Sequence, residues 1–338
     1  MDNPYKIAEN ILSSQQMTDA RFKSVDLYGS SVQEKTAREK ECSVFHLENQ
    51  SGTGDIAIYK AFPGMELVYN DMHMEYCNRE QQPRPNVMEI NYCREGRVEC
   101  VFGEQSYCYM SAGDLSFCSL QKRIHTSSFP TSHYHGITIV LDFEGITEEL
   151  DRIFKLLSVD LARIRSLAEN QDFYIVRAND TVQHIFSELY TVQENVKESY
   201  IRIKLMELLL MLSELTPNAD SEKYVYYSRS QRDCIHRIHD FMTAHLSEHY
   251  TIEELAQRFE ISPTTMKSCF KGIYGDSLYS YFRTYRLQIA ERLLREGELS
   301  VAEISSRIGY INPNKFSTAF RSEYGIPPSR YKKDRPNG

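Results

Sequence analysis

The chain has 338 residues, 39 Lys+Arg against 47 Asp+Glu for a formal net charge of -8, and 41% hydrophobic residues. That length suggests two or three domains, and an acidic charge spread evenly would argue against a nucleic-acid partner. It is not spread evenly: residues 229–338 hold 17 Lys+Arg and 13 Asp+Glu, a net of +4, which leaves 22 and 34, a net of -12, for residues 1–228. A mildly basic carboxy-terminal part on an acidic body fits a DNA reader with a separate regulatory body.

Met1-Asp-Asn-Pro-Tyr-Lys is polar and Ile11-Leu12 is an isolated apolar pair, so no secretory leader is legible. The longest apolar run, residues 205–212, is broken by Glu207 and is far too short to span a bilayer. A soluble, cytoplasmic protein is expected. The eight cysteines include no CxxC pair, and a chain of this size buries a core without staples, so the thiols read as reduced. GxGxxG, the P-loop pattern, GxSxG and HExxH are all absent, so no catalytic residue, cofactor or enzyme activity is expected.

Residues 1 to about 60 are weakly patterned and leave their structure open. Beyond them Met65-Glu-Leu-Val-Tyr, Val87-Met-Glu-Ile-Asn-Tyr-Cys, Val98-Glu-Cys-Val-Phe, Tyr107-Cys-Tyr-Met, Leu115-Ser-Phe-Cys and Ile137-Thr-Ile-Val-Leu-Asp-Phe read as strands. Residues 94–97, 103–105 and 112–114 read as the turns between them. Many short strands at this spacing predict a barrel or sandwich. His125, His133 and His135 are its chemical candidates, either as hydrogen-bonded strand histidines or as contacts to an effector. No metal is expected there, because His133 and His135 lack a glutamate and a further histidine at a recognisable spacing. A hairpin turning at Glu104-Gln105 would set Cys100 opposite Cys108, and two buried apolar cysteines are a better reading of that pair than a redox couple.

Residues 146–167 carry apolar side chains at helical spacing. Residues 181–215 predict a longer helix or a pair, with Ile185, Leu189 and Val192, then Ile201, Leu205, Leu208, Leu209 and Leu212. The stretch 205–212 is apolar nearly all round, so strands, another helix or a second subunit must cover it on several sides. Leu205, Leu208, Leu209 and Leu212 are therefore candidates for a dimer contact as well as for internal packing. Thr216-Pro-Asn-Ala-Asp-Ser-Glu then opens a polar linker, residues 216–228.

The last third of the chain contains one pattern twice, about fifty residues apart. Thr251 with Glu254, and Ser300 with Glu303, open short amphipathic helices in the capping-box arrangement. After a turn that is one residue longer in the second copy, Ser262-Pro263 and Asn312-Pro313 each place a capping side chain before a first-turn proline. Met266, Phe270 and Tyr274, like Phe316, Phe320 and Tyr324, recur at i, i+4, i+8 and predict an inward stripe, and Gly275 and Gly325 end the helices. Between the stripes lie Thr264, Thr265, Lys267, Ser268 and Lys271 in the first copy, and Asn314, Lys315, Thr318 and Arg321 in the second. Small, polar and cationic side chains on one helix face suit entry into a major groove, and with Ser262 and Asn312 at the helix starts they are the candidate DNA contacts.

On these residues the stretch from about Arg229 to Lys333 resembles the DNA-binding domain of the AraC/XylS family of bacterial transcription regulators. The run from Ile304 to Tyr331 resembles that family's signature almost throughout, and Tyr281, Arg286, Leu287, Ala290, Leu293 and Leu294 fall at the spacings of its linker helix. The first reading helix departs from members with large aromatic or arginine readers by offering Thr264 and Ser268. The resemblance implies an α+β protein: a cupin-like effector-binding β-barrel over residues 1–145 with strands about 56–143, a helical dimerisation and linker segment 146–215, a linker 216–228, and an all-α domain 229–335 with two helix-turn-helix units on one rigid helix. The implied partners are double-stranded promoter DNA, a small-molecule or ion effector, a second copy of the chain and RNA polymerase. Alternatives are an effector-independent DNA binder whose barrel serves only dimerisation, and an enzyme fused to such a reader, which would need an activated cysteine among Cys77, Cys93 and Cys118.

Overall fold

Short strands rich in β-branched and aromatic residues pair in antiparallel fashion through the first half of the chain, and they begin earlier than the sequence pattern shows. The computed structural model describes residues 24–28, 32–39, 42–79, 83–102, 106–121, 126–169, 173–215 and 224–333. Two compact units divide the chain, residues 1–226 and residues 227–338.

The first unit contains β1 (Val32–Glu39), β2 (Cys42–Asn49), β3 (Gly52–Phe62), β4 (Met65–His73), β5 (Tyr76–Asn78), β6 (Val87–Phe102), β7 (Ser106–Ser111), β8 (Asp114–Ser119), β9 (Thr126–Ser128), β10 (Tyr134–Asp142) and β11 (Phe173–Arg177). Their order is β1-β2-β3-β4-β10-β6, continued by β8 and β11 along the first half of β6. The two strands that the sequence predicts at 87–93 and 98–102 are one strand of 16 residues. Gly96, at φ +81°, absorbs a bend where the pattern predicts a turn. Past it β6 exchanges β8 and β10 for β7 and β9.

That bend also corrects the expected barrel. Because β6 serves two sheets, strands oppose each other across a core, and among the described residues β1 and β11 remain unpaired edges of an open sheet. Alternation along the strands fills both faces: Ile137, Ile139 and Leu141 enter one core while Tyr134 and Val140 enter the other with Cys93, Cys100, Cys108 and Met110. A sheet covered on both faces explains why Asp114 to Cys118 are buried without alternation.

Helices α1 (Glu148–Leu156), α2 (Leu161–Glu169), α3 (Asp180–Thr191) and α4 (Lys197–Ser213) close the first of those cores. Leu205, Leu208, Leu209 and Leu212 are each 0% exposed, covered by α2, α3 and β3 of the same chain. This corrects their reading as a dimer contact: an all-round apolar helix requires cover, and the chain supplies it without a second subunit. Lys204, tied to Glu188 of α3 and at 2.8 Å to Glu207, pins α4 to its neighbour.

The second unit is helical: α5 (Arg229–Ala244), α6 (Ile252–Arg258), α7 (Pro263–Tyr274), α8 (Leu278–Glu296), α9 (Val301–Arg307), α10 (Pro313–Tyr324) and α11 (Pro328–Lys333). The 19-residue α8, capped by Ser277 and stopped by left-handed Gly297, packs against α7 as well as against α9, α10 and α11. Among the described residues of the chain no helix is long and apolar enough to cross a membrane.

Candidate nucleic-acid interface

Local chemistry sets each helix pair. The Thr251 amide donates to Glu254 Oε2 at 2.7 Å while the Glu254 amide donates to Thr251 Oγ1 at 3.1 Å. Ser300 and Glu303 repeat the exchange at 2.7 and 3.2 Å. Bonds from the Thr251 amide and hydroxyl hold the Glu254 carboxyl below its usual range, as bonds with Ser300 do for Glu303. The turns then close alike, the Ile261 amide donating to Ala256 O at 3.0 Å and the Tyr310 amide to Ser305 O at 2.9 Å. The extra residue of the second turn is thereby fixed as Ile311. It stands between the closed turn and the next cap, and it is 94% exposed.

Ser262 Oγ accepts from the Thr265 amide at 3.1 Å and Asn312 Oδ1 from the Asn314 amide at 2.8 Å, each ahead of a first-turn proline. Gly275 and Gly325, at φ 90° and 79°, stop the two helices. The inward stripes are where periodicity places them: Met266, Phe270, Tyr274, Phe316 and Phe320 are buried, and Tyr324 is half-buried. Full burial of a Phe side chain contributes about 1.5–3 kcal/mol, which holds each reading helix by its apolar half and leaves the other half free.

On those free halves Thr264, Lys267, Ser268 and Lys271 of α7 are exposed and Thr265 is half-buried; Asn314, Lys315, Thr318 and Arg321 of α10 are all exposed. Some capacity is already used. Ser268 Oγ donates to Thr265 O at 3.2 Å and Thr318 Oγ1 to Asn314 O at 3.0 Å, while the Ser262 and Asn312 oxygens serve the caps. Lys267, Lys271, Asn314, Lys315 and Arg321 keep their side chains open to solvent.

Contacts at the waist of the unit tie the two helix pairs together. Arg286 of α8 donates from Nη2 to Glu248 O at 2.8 Å, and His249 donates from Nε2 to Gly309 O at 2.7 Å. Gly309 has φ +84°, and a Cβ there would lie 2.7 Å from Leu246 O, so the second turn seats directly on the loop before the first pair. Sequence spacing identifies Arg286 but not His249 or Ile311, which belong to no local periodicity.

The effector candidates of the first unit divide. His125 lies outside the described residues, and His133 and His135 stand together with His73. Cys100 is opposite Cys108 in the β6–β7 pair, and both are free, buried thiols. Burial pushes the Cys108 thiol up to about 11 and that of Cys100 well above its ordinary value.

Two capped helix pairs with buried stripes and polar outer faces, joined by one long helix, define a double helix-turn-helix domain. Residues 255–334 match the family described as a helix-turn-helix domain. An AraC-like transcription regulator of Streptomyces lividans is 33% identical over 25% of this chain and 28% of its own length. The Msm operon regulatory protein of Streptococcus mutans is 23% identical over 83% of this chain and 98% of its own. The DNA-binding domain of AdpA, solved with a target DNA, is 29% identical over 31% of this chain and 97% of that one, with a TM-score of 0.29. Of other curated relatives the chain spans only part: 22% of the HTH-type regulator YtdP of Bacillus subtilis and 45% of ExsA of Pseudomonas aeruginosa. Through this domain the chain is similar to AraC-like transcription regulators.

Proposed function

We propose that the chain is a sequence-specific transcription regulator whose α7 and α10 enter major-groove segments of promoter DNA, and whose 1–226 unit receives a small-molecule or ion effector. The observation that carries the first part is the division of both helices into a buried apolar half and an exposed polar and cationic half, within one unit whose waist is fastened by Arg286 and His249. Thr264, Thr265, Lys267 and Ser268, with Asn314, Lys315 and Thr318, are placed to read base edges, and Ile311 offers an apolar surface to a thymine methyl. Lys271 and Arg321 occupy equivalent late positions that reach phosphate. Ser262 and Asn312 act indirectly by holding the caps.

For the effector, support comes from a first unit with two apolar cores of its own. Such a ligand regulates only by favouring one arrangement of the protein over another. A fused enzyme activity finds no support in the thiols: Cys77, Cys93 and Cys118 are buried, and burial pushes Cys77 up to about 11 and Cys93 up to about 12, away from an activated nucleophile. Selection of binding sites from a random duplex library tests the reader. Lys267→Ala and Asn314→Ala should each relax preference at particular base pairs, by about 1–3 kcal/mol for each bidentate hydrogen-bond pair removed. Sequence preferences identical to wild type in both variants would sink the assignment.

A further inference from the structure

Three adjacent strands bring together five side chains that lie far apart in the chain. In the β4–β10 pair His135 is opposite Asp71 and Tyr134 opposite Met72, so the next step along the ladder sets His133 beside His73. In the β10–β6 pair His135 is opposite Glu95. Side chains alternate across a strand, which puts Asp71, His73, His133, His135 and Glu95 on one face. The imidazole centroids are 5.2 Å apart for His73 and His133, 5.5 Å for His73 and His135, and 4.6 Å for His133 and His135. One ring nitrogen from each lies within 4.8 Å of the other two.

Each ring also has a carboxylate neighbour. Asp71 Oδ1 is 2.8 Å from His73 Nε2 and 2.6 Å from His135 Nε2, and Glu95 Oε2 is 3.6 Å from His133 Nε2 and 4.0 Å from His135 Nδ1. Close as it is to Asp71, His135 Nε2 is a buried nitrogen without hydrogen-bond geometry to any partner. The backbone is shaped for the approach as well. Gly96 is left-handed, and a Cβ there would lie 1.9 Å from the His133 carbonyl oxygen. With side-chain exposures of 57% for His73, 36% for His133 and 28% for His135, an ion reaches the cluster from solution.

We propose that His73, His133 and His135 bind a divalent first-row transition metal, Zn²⁺ foremost, with Asp71 and Glu95 as carboxylate neighbours. Imidazole nitrogens suit zinc, copper and nickel, whereas magnesium and calcium demand oxygen ligands. Tetrahedral coordination at about 2.0–2.1 Å spaces ligand nitrogens about 3.4 Å apart, so the rings close on an ion with movements of about 1 Å. Asp71, 2.8 Å from His73 Nε2, is placed to hold that ring's tautomer and direction, and Glu95 adds negative charge beside His133 and His135. Three protein ligands leave a fourth position for water or a small anion. The site stands on its own geometry and does not require that the first unit sense an effector.

The test uses the full chain freed of metal with a chelator. Calorimetric titration with Zn²⁺ should show one more equivalent bound by wild type than by a His73→Ala/His135→Ala variant. Co²⁺ should give visible ligand-field bands in wild type alone, and Zn²⁺ should raise the thermal midpoint of wild type alone. Asp71→Asn and Glu95→Gln retain all three imidazoles, so they should weaken binding about 10–100-fold without abolishing it, and they carry the test should the double variant not fold. Equal uptake by wild type and every folded variant, or cobalt bands of thiolate type that persist in the variants, would overturn the proposal.

Discussion

The two helix-turn-helix units share a scaffold and differ where they meet solvent. Capping boxes, turn closure, cap-prolines, inward apolar stripes and left-handed glycine stops recur in both. The outer faces do not. Thr264, Lys267 and Ser268 in the first unit stand against Asn314, Lys315 and Thr318 in the second, and the longer second turn pushes Ile311 into solvent. Even the turns diverge in chemistry, since the left-handed position held by Gly309 in the second unit is held by Glu260, at φ 54°, in the first. A duplicated scaffold that varies most on its exposed half fits the proposal of two readers of different sequence.

The shared half should break alike in both units. Phe270→Ala and Phe320→Ala remove side chains that are 0% exposed, and each should cost about 3–5 kcal/mol, read as a drop in the urea midpoint. A destabilisation confined to one of the two would show that the units are not equivalent scaffolds.

Turn substitutions sharpen the contrast by differing in sign. Gly309→Ala should destabilise by about 2 kcal/mol, because a left-handed β-carbon is strained and this one also meets Leu246 O. Glu260→Gly should stabilise by about 0.5 kcal/mol, the relief of strain exceeding the added chain entropy. Thermal melts of both variants decide it, and equal signs would mean that the two turns are not built alike.

Where the outer faces are equivalent the effects should be smaller and matched. Lys271→Ala and Arg321→Ala should each weaken DNA binding almost independently of sequence and lower the salt slope by about 1. Unchanged slopes in a salt titration would mark both as solvated charges.

How much of this is legible in the sequence depends on range. Caps, stripes and glycine stops are relations between residues three to eight apart, so Thr251, Ser262, Phe316 and Gly325 disclose their roles directly. Cover and register are long-range. The periodicity of Leu205 to Leu212 shows an apolar circumference but not that α2, α3 and β3 occupy it. The pair His133 and His135 is visible, whereas His73, Asp71 and Glu95 join it only through the β4–β10–β6 ladder. Gly96 misleads for a related reason: a glycine between charged residues reads as a turn, and only the strands on either side make it a bend within β6.

The central claim is that α7 and α10, fixed on α8, read two major-groove segments of one duplex face about one helical turn, roughly 34 Å, apart. The direct measurement takes a duplex selected by the wild-type chain, locates its two protected patches by footprinting, and compares affinity with about five or about ten base pairs inserted between them. With five, one patch turns to the far side of the helix and affinity should fall to that of a single patch. With ten it faces correctly but lies beyond reach of a rigid α8, so affinity should remain low. Undiminished affinity on either template would contradict two readers held in fixed register.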